Sequence, residues 1–169
     1  MFWADRVVDE IKTHFKDEIS SKRSLVIRDE KTASGRVHIG SMRGVVVHGV
    51  VADILNESNV KNKFLFEIND FDPMDDIPSD LDQNKYEKYL GMPLLHAPSP
   101  DDKAKNFPEF YADEFINVIK KAGFNPQIYR NSELYKSGKF NDAITDALLN
   151  ADKIREIYKK VSGGERPSD

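Results

Sequence analysis

The sequence predicts an α/β fold in which helices flank a parallel sheet. Three observations lead there. Short apolar, β-branched runs at Ser24–Arg28, Lys63–Ile68 and Gln127–Arg130 read as strands, because branched and aromatic side chains fit a pleated surface. Between them lie stretches whose apolar residues recur every three or four positions, the period of a helix. Strands alternating with helices imply right-handed crossovers and hence parallel pairing.

Taken in order, Phe2 to Ile19 places Val7, Val8, Ile11, Phe15 and Ile19 on one helical face. Strand Ser24–Arg28 follows. A loop of small and polar residues, Lys31-Thr32-Ala33-Ser34-Gly35-Arg36, leads to a helix from about Ile39 to Asn56, where Met42, Val46, Val50 and Ile54 with their neighbours Val45, Val47, Val51 and Leu55 outline a largely buried element. Strand Lys63–Ile68 ends at Asn69-Asp70-Phe71-Asp72-Pro73. An acidic, proline-marked connection then runs to about Asp102, with a short helix at Tyr86–Leu90. A connection of that length usually carries function. A helix is predicted from Phe110 to Ala122, closed by Gly123 as a C-cap. Strand Gln127–Arg130 and a long helix, Asn141–Val161, complete the pattern, and Gly163–Asp169 reads as a loop.

With 169 residues the chain can bury one real core. Apolar residues at 39% and charged residues at 32% describe a globular protein rather than a disordered one. No apolar run approaches the roughly 18 residues of a membrane span, and the charged opening does not read as a signal peptide, so a cytoplasmic location is expected. The absence of cysteine removes disulfides, thiolate nucleophiles and cysteine-ligated zinc. His14, His38, His48 and His96 lack metal-ligand spacing, and no metal site is expected. A formal charge of −4 gives no global case for binding nucleic acid, so such a partner must meet a local patch or polypeptide outside these residues.

The chemistry concentrates in Thr32-Ala33-Ser34-Gly35-Arg36-Val37-His38-Ile39-Gly40-Ser41, between the first strand and its helix. Ligands of parallel sheets lie at the carboxyl ends of strands, and a helix N-terminus offers free amides to an anion. Gly35 and Gly40 let backbone approach a nucleotide closely. His38 could donate a hydrogen bond to a phosphate oxygen as charge develops on it. Neither the glycine pattern of the dinucleotide fold nor that of the P-loop is present.

His38-Ile39-Gly40-Ser41 resembles the His-Ile-Gly-His signature of class I aminoacyl-tRNA synthetases, with serine in the fourth place. Thr32-Ala33-Ser34-Gly35 is similar to the Thr-Pro-Ser-Gly before it in the class I lysyl type, and Phe2-Trp3-Ala4-Asp5 to that family's His-Trp-Ala-Asp opening. Asn69-Asp70-Phe71-Asp72, Tyr89-Leu90-Gly91-Met92-Pro93, Ser132-Glu133-Leu134-Tyr135-Lys136-Ser137-Gly138 and Asp152-Lys153-Ile154 match in the same order. The resemblance runs through the whole chain and identifies it as a member of the class I lysyl-tRNA synthetases.

That resemblance implies a Rossmann-like (HUP-type) sheet of which these residues are the first half, in the N-terminal part of the catalytic domain. It implies activation of lysine by ATP with Mg2+, then transfer to tRNA, mostly through parts beyond Asp169. The isolated chain is expected to be inactive. By motif position His38 and Ser41 are the catalytic residues, and Ser34, Gly35, His38 and Gly40 bind ATP. Glu30, Thr32, Asp70 and Asp72 meet lysine or ribose. The alternatives are a synthetase for another amino acid, a related adenylyltransferase, or a non-catalytic paralogue that binds nucleotide or tRNA.

The sequence departs from the family at three points. Glu30 stands where glycine is usual and adds bulk and negative charge near the amino-acid pocket; it is expected to turn outward or pair with Lys31 or Arg36, and if it faces the pocket instead it could bind a substrate ammonium and change selectivity. Asp75-Asp76-Ile77-Pro78 is acidic where the family is basic. The second signature, Lys-Met-Ser-Lys-Ser or its Lys-Met-Ser-Gly-Ser variant, is absent, and Lys160-Val161-Ser162-Gly163-Gly164 ends a helix instead of following a strand. Trp3 is expected to anchor the first helix, and His48 to lie in the core or to make a helix–helix hydrogen bond. His14 and His96 are expected at the surface, Asp75, Asp76, Asp80 and Asp82 in a solvated loop, and Phe107, Phe110, Tyr111 and Phe115 in the core.

Overall fold

The computed structural model describes residues 2–164, in two compact units, Met1–Ser132 and Glu133–Asp169. The first contains α1 (Trp3–His14), α2 (Lys16–Ser20), β1 (Leu25–Thr32), α3 (Met42–Glu57), β2 (Asn62–Asn69), α4 (Gln83–Tyr86), α5 (Phe107–Lys121) and β3 (Gln127–Arg130). Single 3-10 turns lie at Ile39–Ser41, Glu87–Tyr89 and Leu94–His96. Helix α6 (Asn131–Lys136) starts where β3 ends, and α7 (Asn141–Leu149) and α8 (Ala151–Ser162) belong to the second unit. Residues 165–169 of the expected terminal loop lie outside the described residues.

The three strands run parallel in the order β1-β2-β3, with Thr32 opposite Asn69 and Glu67 opposite Tyr129. Residues paired in this way share a face, so the sheet has two different sides. Phe64, Phe66, Ile68 and Ile128 join Val45 of α3 and Ala112, Phe115 and Ile119 of α5 in the main apolar cluster. Leu25 and Ile27 meet Val8 of α1 and Val51 and Leu55 of α3 in a second. Burying each such side chain contributes about 1.5–3 kcal/mol, which holds three helices on one face. Close approach on that side needs Gly49, because a Cβ there would stand 2.3 Å from Phe124 Cδ1. The opposite face carries Arg28, Glu30, Thr32, Leu65, Glu67, Asn69 and Tyr129 in the same register.

The connection from Asp70 to Asn106 is ordered by a cluster of its own: Met74, Ile77, Tyr86, Leu94, Ala97, Phe107 and Tyr111. Burial pushes the Tyr111 phenol up to about 12. Asp75, Asp76, Asp80 and Asp82 are exposed, as are His14 and His96.

Several expectations are corrected. The first helix breaks at Phe15 (φ −102°, ψ 31°), yet Ile19 still packs with the Val8 cluster, so the apolar period survives the kink. β1 extends four residues past Arg28, because the ladder with β2 continues to Thr32 and overrides the weak strand propensity of Asp29, Glu30 and Lys31. The last helix splits at Asn150, whose side-chain amide donates to the Asp146 carbonyl at 2.8 Å, a local bond that competes with the helix. Trp3 is 41% exposed beside Phe2, and Ala4 and Val8 are what α1 buries.

One pair ties β3 to the start of α5. Arg130 donates to both Glu109 oxygens, at 2.7 and 2.6 Å, with both side chains mostly shielded. The guanidinium holds the Glu109 carboxyl below its ordinary value. Folding therefore weakens proton binding at Glu109. Its contribution is present above the unfolded carboxyl value of about 4.3 and is lost as pH falls through the depressed folded value. Asp101, lowered to about 2 by bonds from the Ser99 hydroxyl and the Lys103 and Ala104 amides, acts in the same direction. Thermal melts should show stability falling as pH drops from 5 toward about 2, with Glu109→Gln flattening the upper part of that slope; an unchanged slope would remove the pair from the account.

Candidate nucleotide and amino-acid site

The carboxyl ends of β1 and β2 bring Thr32 and Asp72 together. Thr32, the last residue of β1, donates its hydroxyl to Asp72 Oδ2 at 3.0 Å, and the Ala33 amide donates to the Asn69 carbonyl at 3.2 Å. The backbone at Asp70 and Asp72 is fixed from the far side, where their carbonyls accept from the Leu95 and Leu94 amides at 3.1 and 2.9 Å. The long connection thus sets the position of both acids.

Ser34 and Gly35 are half-buried on the way to His38, and Arg36 turns aside to pair with Glu114 at 3.2 Å. His38 is exposed, in an extended conformation (φ −86°, ψ 163°) that caps the turn Ile39–Ser41. Its Nδ1 accepts from the Gly40 amide at 3.1 Å. An imidazole nitrogen that accepts cannot carry the proton, so the neutral ring holds its hydrogen on Nε2, free to donate outward. Gly40 is required by the same contact: a Cβ there would lie 2.8 Å from His38 Cε1 and 2.9 Å from Nδ1. Gly40→Ala should therefore displace the ring and lower any activity that depends on His38 by about tenfold or more, the fold being intact by circular dichroism. Parent-like activity would show that the ring's position does not matter. Ser41, half-buried, leads directly into α3 and makes no side-chain cap.

Asp70 is 4% exposed and engaged: its two oxygens accept from the Ser132 amide at 2.8 Å and the Ser132 hydroxyl at 2.6 Å. It therefore caps α6, while Asn131 donates to Asn69 at 3.0 Å. On the polar face one row back, Glu67 is 2% exposed and takes Arg28 at 2.5 Å and the Tyr129 hydroxyl at 2.6 Å. Burial, then this bond, pushes the Tyr129 phenol up to about 12. Glu30 is exposed as expected, but its nearest cation is Arg28 at 3.9 Å, not Lys31 or Arg36, because alternation along the strand puts residues 28 and 30 on one face. His48 Nδ1 lies 3.4 Å from Asp29 Oδ2 across the β1–α3 junction, without hydrogen-bond geometry.

Sequence reasoning missed Arg28, Glu67, Tyr129, Asn69, Asn131 and Ser132. One signal was available: Glu67 is the only charged residue in Phe64-Leu65-Phe66-Glu67-Ile68, where a buried carboxylate must have partners. A cavity of about 330 Å³ lined by Asn56, Asn62, Lys63 and Gln127 lies at the opposite, amino end of the strands. A smaller one of about 210 Å³, lined by Val37, His38, Met42 and Phe115, adjoins the loop.

The sequence profile of the family described as tRNA synthetases class I (K) matches residues 1–169. The chain belongs to the class I lysyl-tRNA synthetases. It is similar to the lysine–tRNA ligase of Methanosarcina barkeri, strain Fusaro, 30% identical over 161 residues, which are 95% of this chain and 28% of that protein. The lysine–tRNA ligases of Thermoplasma volcanium and Methanosphaera stadtmanae are each 31% identical, over 96% and 94% of this chain and 30% and 29% of theirs. The chain thus spans about three tenths of the length of the curated relatives it matches. The parallel sheet and flanking helices agree with the Rossmann-like half expected of a class I synthetase. No helix among the described residues is long and apolar enough to cross a membrane.

Proposed function

We propose that residues 1–169 form the N-terminal part of the catalytic domain of a cytoplasmic lysine–tRNA ligase. The second half of the nucleotide cleft and the anticodon-binding region are then supplied by polypeptide outside these residues. In the reaction a lysine carboxylate oxygen attacks the α-phosphorus of ATP. The bond to the bridging oxygen breaks, and pyrophosphate leaves with the electron pair. Lysyl-adenylate then passes its acyl group to the terminal ribose of tRNA.

The observation that carries this reading is the His38–Gly40 contact, which leaves an Nε2–H donor facing outward at the start of α3. Placed there, the donor stabilises charge on the phosphate oxygens as the transition state forms, assisted by the amides at the helix start. Ser34, Gly35 and Gly40 let the nucleotide approach the backbone, and Ser41 adds a hydroxyl beside it. The Thr32–Asp72 pair, at the carboxyl end of the edge strand β1, holds the α-amino end of lysine, whereas Asp70 keeps the wall in place through Ser132.

Among the described residues no three His, Asp or Glu side chains converge to hold a metal ion. Mg2+ enters this proposal only as the ion that accompanies the phosphates, whose oxygens and water suit it, and no step rests on it. Titrating the 169-residue chain with ATP while following its amide NMR signals tests the reading. Shifts are expected at Gly35 to Ser41. Shifts confined to the Asn62–Gln127 cavity, or none, would contradict it.

A further inference from the structure

From the polar face of the sheet we infer that Glu30 is the counter-ion for the side-chain ammonium of the substrate. This rests on the reading above that the Thr32–Asp72 pair holds lysine's α-amino end. Three observations carry it.

First, Glu30 is an underserved carboxylate. One guanidinium, Arg28, lies between two acids. Glu67 holds it at 2.5 Å and also takes the Tyr129 hydroxyl, whereas Glu30 is left at 3.9 Å, beyond hydrogen-bond reach, with its side chain 60% exposed. Two carboxylates against one guanidinium leave one negative charge on the face, on the acid that is open to solvent. Second, the placement is set by the strand. Glu30 precedes Thr32 by two residues and shares its face, because the ladder pairs Glu30 with Glu67 and Thr32 with Asn69. Third, the lengths agree. Two residues of parallel strand span about 7 Å, and the six extended single bonds from lysine's α-amino nitrogen to Nζ span about 7.5 Å. A lysine anchored at Thr32 and lying along β1 brings its ammonium to Glu30, while ornithine, one methylene shorter, falls short.

The neighbouring charges support a cation here. Arg28 is fixed toward the buried Glu67, and Lys31 points to the other face by alternation, so no free cation on β1 competes for Glu30. Glu30 therefore acts as a specificity residue by direct contact. Arg28 is a positioning residue, which keeps the two carboxylates apart.

The test follows amide NMR signals of the 169-residue chain titrated with L-lysine, L-ornithine and L-norleucine, which has lysine's skeleton without the ammonium. The parent chain should show lysine-dependent shifts at Glu30, Thr32 and Asp72, with norleucine about tenfold weaker, as for losing one charge-assisted bond at a partly exposed site. Glu30→Gln, nearly isosteric, should lose that preference while still shifting Thr32 and Asp72. Dispersed spectra establish that the variant folds. If Glu30→Gln keeps the parent's preference for lysine over norleucine, the inference about Glu30 is overturned and the Thr32–Asp72 reading stands. If lysine moves neither Thr32 nor Asp72 in the parent, both are overturned.

Discussion

In the intact synthetase, His38→Ala should lower lysine-dependent ATP–pyrophosphate exchange by about two orders of magnitude, the usual effect of removing one donor that acts only on the transition state. The loss should fall on kcat rather than on the KM for lysine if, as proposed, the side chain meets the phosphates and not the amino acid. Folding should survive, since His38 is exposed and the bond its side chain makes is the one accepted from the Gly40 amide at 3.1 Å. His38→Gln offers a finer comparison, because its side-chain amide can place a donor near the position of Nε2. A His38→Ala enzyme with near-parent exchange would remove the residue from the mechanism and leave the loop as a backbone cradle alone.

The second large effect is on stability. Asp70→Ala removes both acceptors of Ser132 from a buried site, leaving an amide and a hydroxyl without their partner at the start of α6. Charge-assisted bonds of this kind are worth about 1.5–3 kcal/mol each when one partner is lost, so a loss of about 3–6 kcal/mol is expected for the two. Urea unfolding with an unchanged slope measures it directly. Asp70→Asn should recover part of the loss, because its carbonyl oxygen can still accept from the Ser132 amide. A fully stable Asp70→Ala protein that binds substrate poorly would show instead that Asp70 is a ligand of the substrate.

How much of this was legible in the sequence depends on how local each cause is. β3 was read with its observed ends, because Gln127–Arg130 lies between Gly123 and a change of pattern, both local signals. The positions of His38 and Gly40 at the start of a helix were legible for the same reason. Helix α6 was not, because its cap, Asp70, is 62 residues away and nothing in Asn131-Ser132-Glu133 announces it. The far end of β1 was also hidden. Asp29, Glu30 and Lys31 are poor strand formers, and what makes them a strand is the ladder to Glu67, Ile68 and Asn69. The polar row Arg28–Glu67–Tyr129 depends on three strands coming into register, which periodicity within any one strand cannot reveal. The kink at Phe15 and the break at Asn150 preserve the apolar spacing on either side, so a period read along the chain passes over them.

Amino-acid-dependent ATP–pyrophosphate exchange by the intact protein, measured across a panel that includes lysine, ornithine, arginine and norleucine, tests the proposed function most directly. Lysine should support exchange well above every other member of the panel, and His38→Ala should abolish most of it. Exchange driven better by another amino acid would contradict the lysine assignment, and exchange that is absent, or that persists without His38, would contradict the proposed site.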